Sequence, residues 1–354
     1  MVIIKEDSVM KYKQFKDINV SDPFFDSLKD DYKEFECWFK RKSDEFAYVT
    51  FDDDNTIHGF LYIKEENGPI TDIRLALKVE RCLKVGTFKI EAHGTKLGER
   101  FIKKIFDYAV DREIRDIYVT IFEKHDSLIN LLKTFGFLLC ADKETSNGKE
   151  LVYHKKIFEN ISDVLLNYPM VDLNKNKYLL SIFPEYHTKL FPDSILKNEN
   201  SNIVQDLSST NSIRKVYLSR AMDTQELQKG DIIIIYRTAE EGKPAEYSSV
   251  ATSLCVVEEI KTKYDFRSLT ELKEYCMERS VLSDKEFLYY LNGRDMTVIK
   301  MTYNIAFKKR PIRKYLIENI GLDRYKRWTF LQLTDEQLVD ILKAGEVYES
   351  IIFN

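Results

Sequence analysis

One segment constrains the fold more than any other. Residues 84–109 give a strand pattern, KVGTFKI, then a loop that ends in Gly98, then an amphipathic helix. The first turn of a helix presents unpaired backbone N–H groups and a partial positive charge, so this order favours pyrophosphate binding. Gly94 and Gly98 would let the backbone approach the phosphates, and Lys96 could add its ammonium as a point charge. The loop matches neither GxxxxGK[ST] nor GxGxxG, and an ordinary strand-to-helix turn remains the alternative.

The patterns around this segment predict a mixed α/β layer in the order β-α-β-β-β-α-β-α-β-β. Apolar residues recur at spacings of three and four in two other stretches, and alternating runs on both sides predict strands. Gly136 stands where a helix commonly ends. The predicted elements include a strand in 9–18, a helix over Asp22–Lys42, a hairpin in 45–64, a strand in 70–79 and a helix over Asp126–Phe135.

The remaining chain is expected to add a second domain, since 354 residues exceed the usual size of one. Residues 158–210 are less periodic and contain three prolines, which predicts a connector with short helices. Residues 211–354 alternate strand and helix patterns around Gly230-Asp231. We therefore expect domains at 1–157 and 211–354, joined by the 158–210 connector.

Composition limits the classes of function. The net charge of -4 is a small difference between 54 basic and 58 acidic residues, so any nucleic-acid site must be local. The five cysteines form no CxxC pair, which fits a reducing compartment and predicts no metal site. No export signal and no apolar run of roughly 20 residues is visible, which predicts a cytoplasmic protein without a membrane partner.

The loop, the strand before it, the strand DIYVTIF and the helix ending at Phe135-Gly136-Phe137 resemble the core of the GNAT acetyltransferase superfamily. The resemblance covers roughly residues 1–157 in element order. The family pattern is Gln or Arg, two residues, Gly, one residue, Gly or Ala; here His93, Lys96 and Gly98 occupy its three defining positions. The resemblance implies a mixed sheet flanked by helices that binds acetyl-CoA in a cleft between two splayed strands. The cofactor contacts it implies are Phe88, Lys89, Ile90, His93, Gly94, Thr95, Lys96, Leu97, Gly98, Glu99 and His125.

The resemblance also implies a reaction, the direct attack of an amine on the thioester. Many family members protonate the leaving thiolate with a tyrosine four residues before the Gly of the GF pair, where this chain has Leu132. Either another donor replaces it, or the thiolate leaves with the help of solvent, or the domain is slow. The candidate acids are His125, Tyr118 and Tyr153, and the candidate bases are Glu80 and Glu91, whose alternative role is simply to face solvent.

The C-terminal region has a second resemblance. Ser219-Arg220, the run GDIIIIYR and the strand VATSLCVVEEI resemble the PUA-like group that includes ASCH and EVE domains. This implies a β-barrel with decorating helices and a pocket for a nucleobase or RNA. Runs at 308–314 and 324–328 place cations beside aromatics, although such runs are often only solvated surface. The expected recognition residues are Arg220, Tyr236, Arg237, Arg310, Lys314 and Arg327.

Together these patterns predict an N-acetyltransferase of α/β (α+β) class that moves an acetyl group from acetyl-CoA to an unidentified amine. The PUA-like domain would recruit the substrate, with RNA or tRNA as the expected partner. One alternative is a catalytically degenerate, CoA-binding regulatory or nucleic-acid-binding protein. Another is a toxin or defence enzyme that acetylates aminoacyl-tRNA. A third is an enzyme whose second domain only shapes the acceptor cleft.

Overall fold

The computed structural model divides the chain into two units, Met1–Glu159 and Asn160–Asn354. The structure describes residues 9–52, 55–91, 96–157, 162–191, 194, 212–277, 279–292, 296–347 and 351–353. Each unit is built on its own sheet with helices beside it, which confirms the α+β class. No helix of the described residues is both long and apolar enough to cross a membrane.

The amino-terminal unit is a seven-stranded sheet in the order β1-β2-β3-β4-β5-β7-β6. Its β4–β5 pair is parallel and its other pairs are antiparallel. The strands are β1 Val9–Gln14, β2 Phe46–Phe51, β3 Ile57–Asn67, β4 Arg81–Ile90, β5 Asp116–Phe122, β6 Leu138–Thr145 and β7 Gly148–Lys156. The helices are α1 Asp26–Asp31, α2 Phe35–Arg41, α3 Leu97–Asp111 and α4 Asp126–Thr134.

Both faces of this sheet are covered, as β3 shows. Phe60 and Tyr62 lie in an aromatic cluster with Phe25 and Phe39, beside α1 and α2. A Cβ at Gly59, the residue before Phe60, would lie only 2.4 Å from Phe101 of α3. Because neighbouring residues of a strand point to opposite faces, the aromatic cluster and α3 pack on opposite sides of the sheet.

Two predicted elements of this unit were wrong. The expected helix over Asp22–Lys42 is broken at Tyr32, whose backbone is extended and whose hydroxyl donates to Glu150, 2.5 Å away. The expected strand in 70–79 is a loop with one isolated bridge, Ile70 to Leu77. A local pattern cannot reveal the Tyr32 partner, which lies 118 residues away.

The carboxy-terminal unit has a six-stranded mixed sheet in the order β10-β13-β12-β11-β9-β14 and a separate β15–β8 pair. Its strands are β8 Val171–Asp172, β9 Lys177–Ile182, β10 Arg214–Ser219, β11 Ile232–Arg237, β12 Val250–Thr262, β13 Thr297–Ala306, β14 Phe330–Gln332 and β15 Ile352–Phe353. Its helices are α5 Val164–Asn167, α6 Pro184–Leu190, α7 Ala245–Ser248, α8 Leu269–Met277, α9 Asp284–Leu291, α10 Arg313–Glu318 and α11 Asp335–Ala344.

Two expectations for this unit are corrected. The predicted 158–210 connector supplies β9, which lies within the sheet between β11 and β14 and buries the apolar run of residues 178–180. The predicted barrel is also not seen, because the described strands pair in a linear order with β10 at one end and β14 at the other.

Candidate functional site

A cleft opens between β4 and β5. The two parallel strands pair only from Cys82–Val85 to Asp116–Val119. Beyond Val85, β4 continues to pair with β3, and β5 continues to pair with β7. Among the described residues no strand pairs with 86–90 from the β5 side, so an extended ligand could hydrogen-bond to that edge like an added strand. We call this opening the β4–β5 cleft.

A bulge at Gly86 marks the start of the cleft. Tyr62 of β3 pairs with Thr87 and Ile63 pairs with Val85, which leaves Gly86 as the extra residue. A Cβ at Gly86 would lie 2.7 Å from the ring of Tyr62, so a larger residue would push against that ring. Bulges bend their strand and commonly re-aim it beside functional sites. A glycine inside the strand pattern KVGTFKI was the sequence signal for this feature.

The start of α3 lies at the same edge of the sheet. The helix begins at Leu97, and no side chain of the described residues caps it at Lys96. Since β5 runs parallel to β4, its carboxyl end and the start of α4 at Asp126 also lie at this edge. The N–H groups of the first turn of α3 can therefore meet an anion there. His93, Gly94 and Thr95, which were expected to complete this site, lie outside the described residues.

The described part of the loop gives more specific roles. A Cβ at Gly98 would lie 2.7 Å from Cδ2 of Leu131, so this glycine lets α3 pack against α4. Leu97 and Glu99 are each 4% exposed, which leaves their backbone rather than their side chains to meet a ligand. Phe88 packs on Phe101 of α3, with 5.7 Å between the ring centroids.

The two candidate bases lie at opposite ends of β4. Glu80 precedes Arg81, the first residue of the strand, and β4 extends roughly 30 Å at about 3.3 Å per residue. Glu80 lies where β4 and β5 are still paired, five residues before Val85, so it does not line the open part of the cleft, and its role as a base stays a prediction. Glu91 follows Ile90 at the open end, where its Oε1 lies 2.9 Å from Nζ of Lys89.

Two of the three candidate acids are buried. Tyr118 is 1% exposed and donates its hydroxyl proton to Glu66, and both its burial and that carboxylate raise its pKa. Tyr153 is 2% exposed beneath Lys133, whose Nζ is 5.8 Å from the ring centroid. The Tyr118 hydroxyl is engaged by Glu66, which corrects its expected role as an acid, whereas that role of Tyr153 stays a prediction. The side chain of His125 is 42% exposed and its Nε2 lies 3.2 Å from Oδ2 of Asp31.

Asp31 belongs to a segment that bridges the two sides of the cleft and was missed in the sequence. Lys89 of β4 bonds the carbonyl of Phe24 and, at 2.7 Å, the hydroxyl of Ser27. After the end of β5, both Lys124 and His125 contact the Asp31 carboxylate, whose side chain is only 7% exposed. Residues 23–31 therefore span from β4 to the end of β5. These contacts join residues that are separated by between 62 and 94 positions in the sequence, so no local sequence pattern could have predicted them.

The recognition residues predicted on β11 are buried. Tyr236 is 1% exposed and its ring packs 5.3 Å from that of Trp328, so the expected stacking on a base is corrected. Arg237 is 3% exposed and its Nη2 lies 3.2 Å from Oε1 of Glu240. By contrast, Arg220 is exposed, with its guanidinium carbon 4.0 Å from the ring centroid of Tyr289.

The basic run near the carboxyl end is mostly accessible. Residues 308–328 contain eight Lys or Arg and two Asp or Glu, a net charge of 8 − 2 = +6 in a chain of net -4. Arg310 and Lys314 are partly buried and Arg327 is exposed. Tyr325 is 92% exposed, and Tyr247, at 60%, lies under Lys314 with its ring centroid 5.5 Å from Nζ.

Among the described residues no cluster of His, Cys, Asp and Glu could hold a metal ion.

Comparison with known proteins yields structural likeness only. No protein-family model matches the sequence, and no curated protein matches it. An ASCH protein from Zymomonas mobilis is 14% identical over 47% of this chain and 94% of its own, with a TM-score of 0.34. An IAA acetyltransferase from Bacillus cereus is 10% identical over 42% and 99%, with a TM-score of 0.31. A GNAT acetyltransferase from Streptococcus pneumoniae is 12% identical over 42% and 99%, with a TM-score of 0.32. Similarity this weak assigns no function, which must rest on the geometry of the site.

Proposed function

We propose that the amino-terminal unit is an N-acetyltransferase that binds acetyl-CoA in the β4–β5 cleft. The observation that carries this proposal is the separation of β4 and β5 beyond Val85, with the first turn of α3 at the open end. The first turn of α3 would bind the pyrophosphate and the free edge of Phe88, Lys89 and Ile90 would pair with the pantetheine arm. The thioester would supply an activated acetyl group at the narrow end.

The residues around the cleft suggest how protons move. A lysine-like amine has a pKa of about 10.4, so its attack requires a proton to leave first. Glu91 is exposed at the open end, six residues beyond Val85, so a proton from an amine at the narrow end would reach it only along a chain of waters. His125, oriented by Asp31 six residues after Val119, is the accessible donor, and its proton would reach the leaving thiolate through water. The buried Leu132 cannot take that role.

The Lys96→Glu variant should bind acetyl-CoA about tenfold or more weakly, since a charge-assisted contact of about 1.5–3 kcal/mol becomes repulsion. Isothermal titration calorimetry on the full chain measures the change. The Lys104→Glu variant, with its charge reversed within α3, is the matched control and should bind as the wild type does. If the wild type shows no acetyl-CoA binding, the proposed function fails.

Acetyl transfer is tested separately from binding. Mass spectrometry of an amine panel incubated with enzyme and acetyl-CoA should show an acetylated product. Binding without any product would favour the alternative, a catalytically degenerate CoA sensor, which the burial of Tyr118, Leu132 and Tyr153 makes a specific rival.

We further propose that the carboxy-terminal unit recruits a single-stranded RNA segment or tRNA end through residues 308–328. Its support is the +6 charge of that run together with the exposed rings of Tyr247 and Tyr325, since cations contact phosphates and aromatic rings stack on bases. Growth arrest on expression, relieved by Lys96→Glu, would further identify an aminoacyl-tRNA acetylating toxin.

The Lys314→Glu/Arg327→Glu double variant should weaken binding of a fluorescent single-stranded RNA several-fold. It should also reduce the slope of log K against log salt concentration by about two, because two phosphate contacts are lost. Fluorescence anisotropy across a salt series gives both quantities. Lys273→Glu in α8, a partly exposed lysine outside the run, is the control. Equal losses in the control and the double variant would contradict this recruitment role.

A further inference from the structure

Lys84 stands at the narrow end of the β4–β5 cleft. It pairs with Tyr118 one step before the last β4–β5 pair and lies two residues before the bulge at Gly86. Its Nζ is 5.3 Å from the ring centroid of Tyr118, on the face of the sheet that also carries Thr87 beyond the bulge. The side chain is 18% exposed, so it retains a path to solvent.

The ammonium of Lys84 has an acidic neighbour but no hydrogen bond to it. The closest acidic oxygen, Oε1 of Glu66, is 3.9 Å from Nζ, which is too long for a hydrogen bond. Glu66 already contacts Lys64 at 2.5 Å and accepts the hydroxyl proton of Tyr118. Burial lowers the pKa of Lys84, Lys143 and Lys64 lower it further, and Glu66 and Asp72 oppose the change. A larger fraction of this amine is therefore neutral than at an exposed lysine.

Lys89 provides the contrast on the same strand. Its Nζ is bonded to Phe24, Ser27 and Glu91 at the open end of the cleft. Those bonds orient the ammonium toward the 23–31 segment and occupy its donors. Of the two lysines, Lys84 is the one whose amine lies near the closed end without a hydrogen bond among the described residues.

We propose that Lys84 is a self-acylation site that regulates the cleft; this rests on the proposed acetyl-CoA binding there. The neutral amine attacks the thioester carbonyl, a C–N bond forms, the C–S bond breaks, and its electron pair leaves on sulfur. The nitrogen loses one proton to water, and the thiolate takes one up to become the CoA thiol. The product amide removes the positive charge beside Glu66 and adds bulk where β4 and β5 separate, so the modified protein transfers acetyl groups to other amines more slowly.

The experiment incubates the full-length protein with acetyl-CoA and maps acetylated lysines by digestion and mass spectrometry over time. Lys84 should acquire its acetyl group at least about tenfold faster than Lys64, because a positioned amine reacts faster than a free one. Lys64 is the matched control, since it contacts the same carboxylate from the neighbouring strand. The rate at Lys84 should fall to that of Lys64 when the chain is unfolded in urea.

The variants Lys84→Arg and Lys84→Met should lose the modification at this position, while Lys64→Arg should keep it. Calorimetry separates the two levels of the hypothesis. Acetyl-CoA binding together with an unmodified Lys84, or with equal rates at Lys84 and Lys64, overturns self-acylation and leaves the proposed function standing. Absence of acetyl-CoA binding overturns both.

Discussion

The Gly59→Val variant should lose roughly 3 kcal/mol or more of the unfolding free energy of the amino-terminal unit, the upper end of the range for overpacked cores. A Cβ there would lie 2.4 Å from Cε2 of Phe101 and 2.8 Å from Oγ1 of Thr50, and both of those residues are 0% exposed. Neither neighbour can move toward solvent, so β3 and α3 must separate. Because α3 starts at the open end of the cleft, acetyl-CoA binding should weaken as well.

Denaturant unfolding measures this loss through the fluorescence of Trp38, in a Trp328→Phe background that leaves one tryptophan in the chain. Phe101→Leu supplies the internal check, because it removes the ring that the new side chain meets. If the clash is the cause, Gly59→Val and Phe101→Leu should be less destabilising together than the sum of the two, with a coupling of about 0.5–3 kcal/mol. Additive losses, or a Gly59→Val variant as stable as its parent, would show that the sheet accommodates the side chain elsewhere.

The elements predicted well are those whose pattern has a local cause. Helix α3 has apolar residues at helical spacing against the sheet, and β5 is a short apolar strand covered on both faces, so both follow from periodicity. The failures have distant causes. Tyr32, where the predicted helix is broken, bonds Glu150, and β9 enters the sheet by pairing with Ile232–Arg237, more than 50 residues further along the chain.

The candidate site divides in the same way. The glycine-containing loop and the helix after it are visible in the sequence because phosphate binding at a helix start needs consecutive residues. The Lys84 environment and the Asp31–His125 contact are not visible, because each joins separate elements. The prediction that Tyr236 recognises a base overlooked a signal in the sequence. The unbroken apolar run IIIIY before Arg237 is typical of a strand buried on both faces.

His187 should make the carboxy-terminal unit sensitive to acid. The imidazole lies on α6, is 0% exposed, and its Nε2 is 2.8 Å from Oγ1 of Thr252. Burial chiefly, and then the charges of Arg237 and Arg310, lower the pKa of His187 from 6.5 to about 3. The unfolded chain therefore binds a proton near pH 6.5, whereas the folded unit does not until about pH 3. The contribution of the neutral His187 to the unfolding free energy is fully present above pH 6.5. It is lost as the pH falls from 6.5 toward about 3, by at most about 4 to 5 kcal/mol.

The His187→Gln variant should flatten this dependence, because glutamine can still bond Thr252 but has no proton to gain. Trp328 reports on this unit, so denaturant unfolding followed by its fluorescence in a Trp38→Phe background gives the free energy at each pH from about 4 to 7. The variant should be about 1 kcal/mol less stable near pH 7, since a buried hydrogen bond is reshaped, and should approach or exceed its parent near pH 4. His154→Gln, in the amino-terminal unit, should leave the Trp328 transition unchanged at every pH. Parallel curves for His187→Gln and its parent would mean that other groups carry the acid sensitivity, whereas crossing curves would assign it to His187.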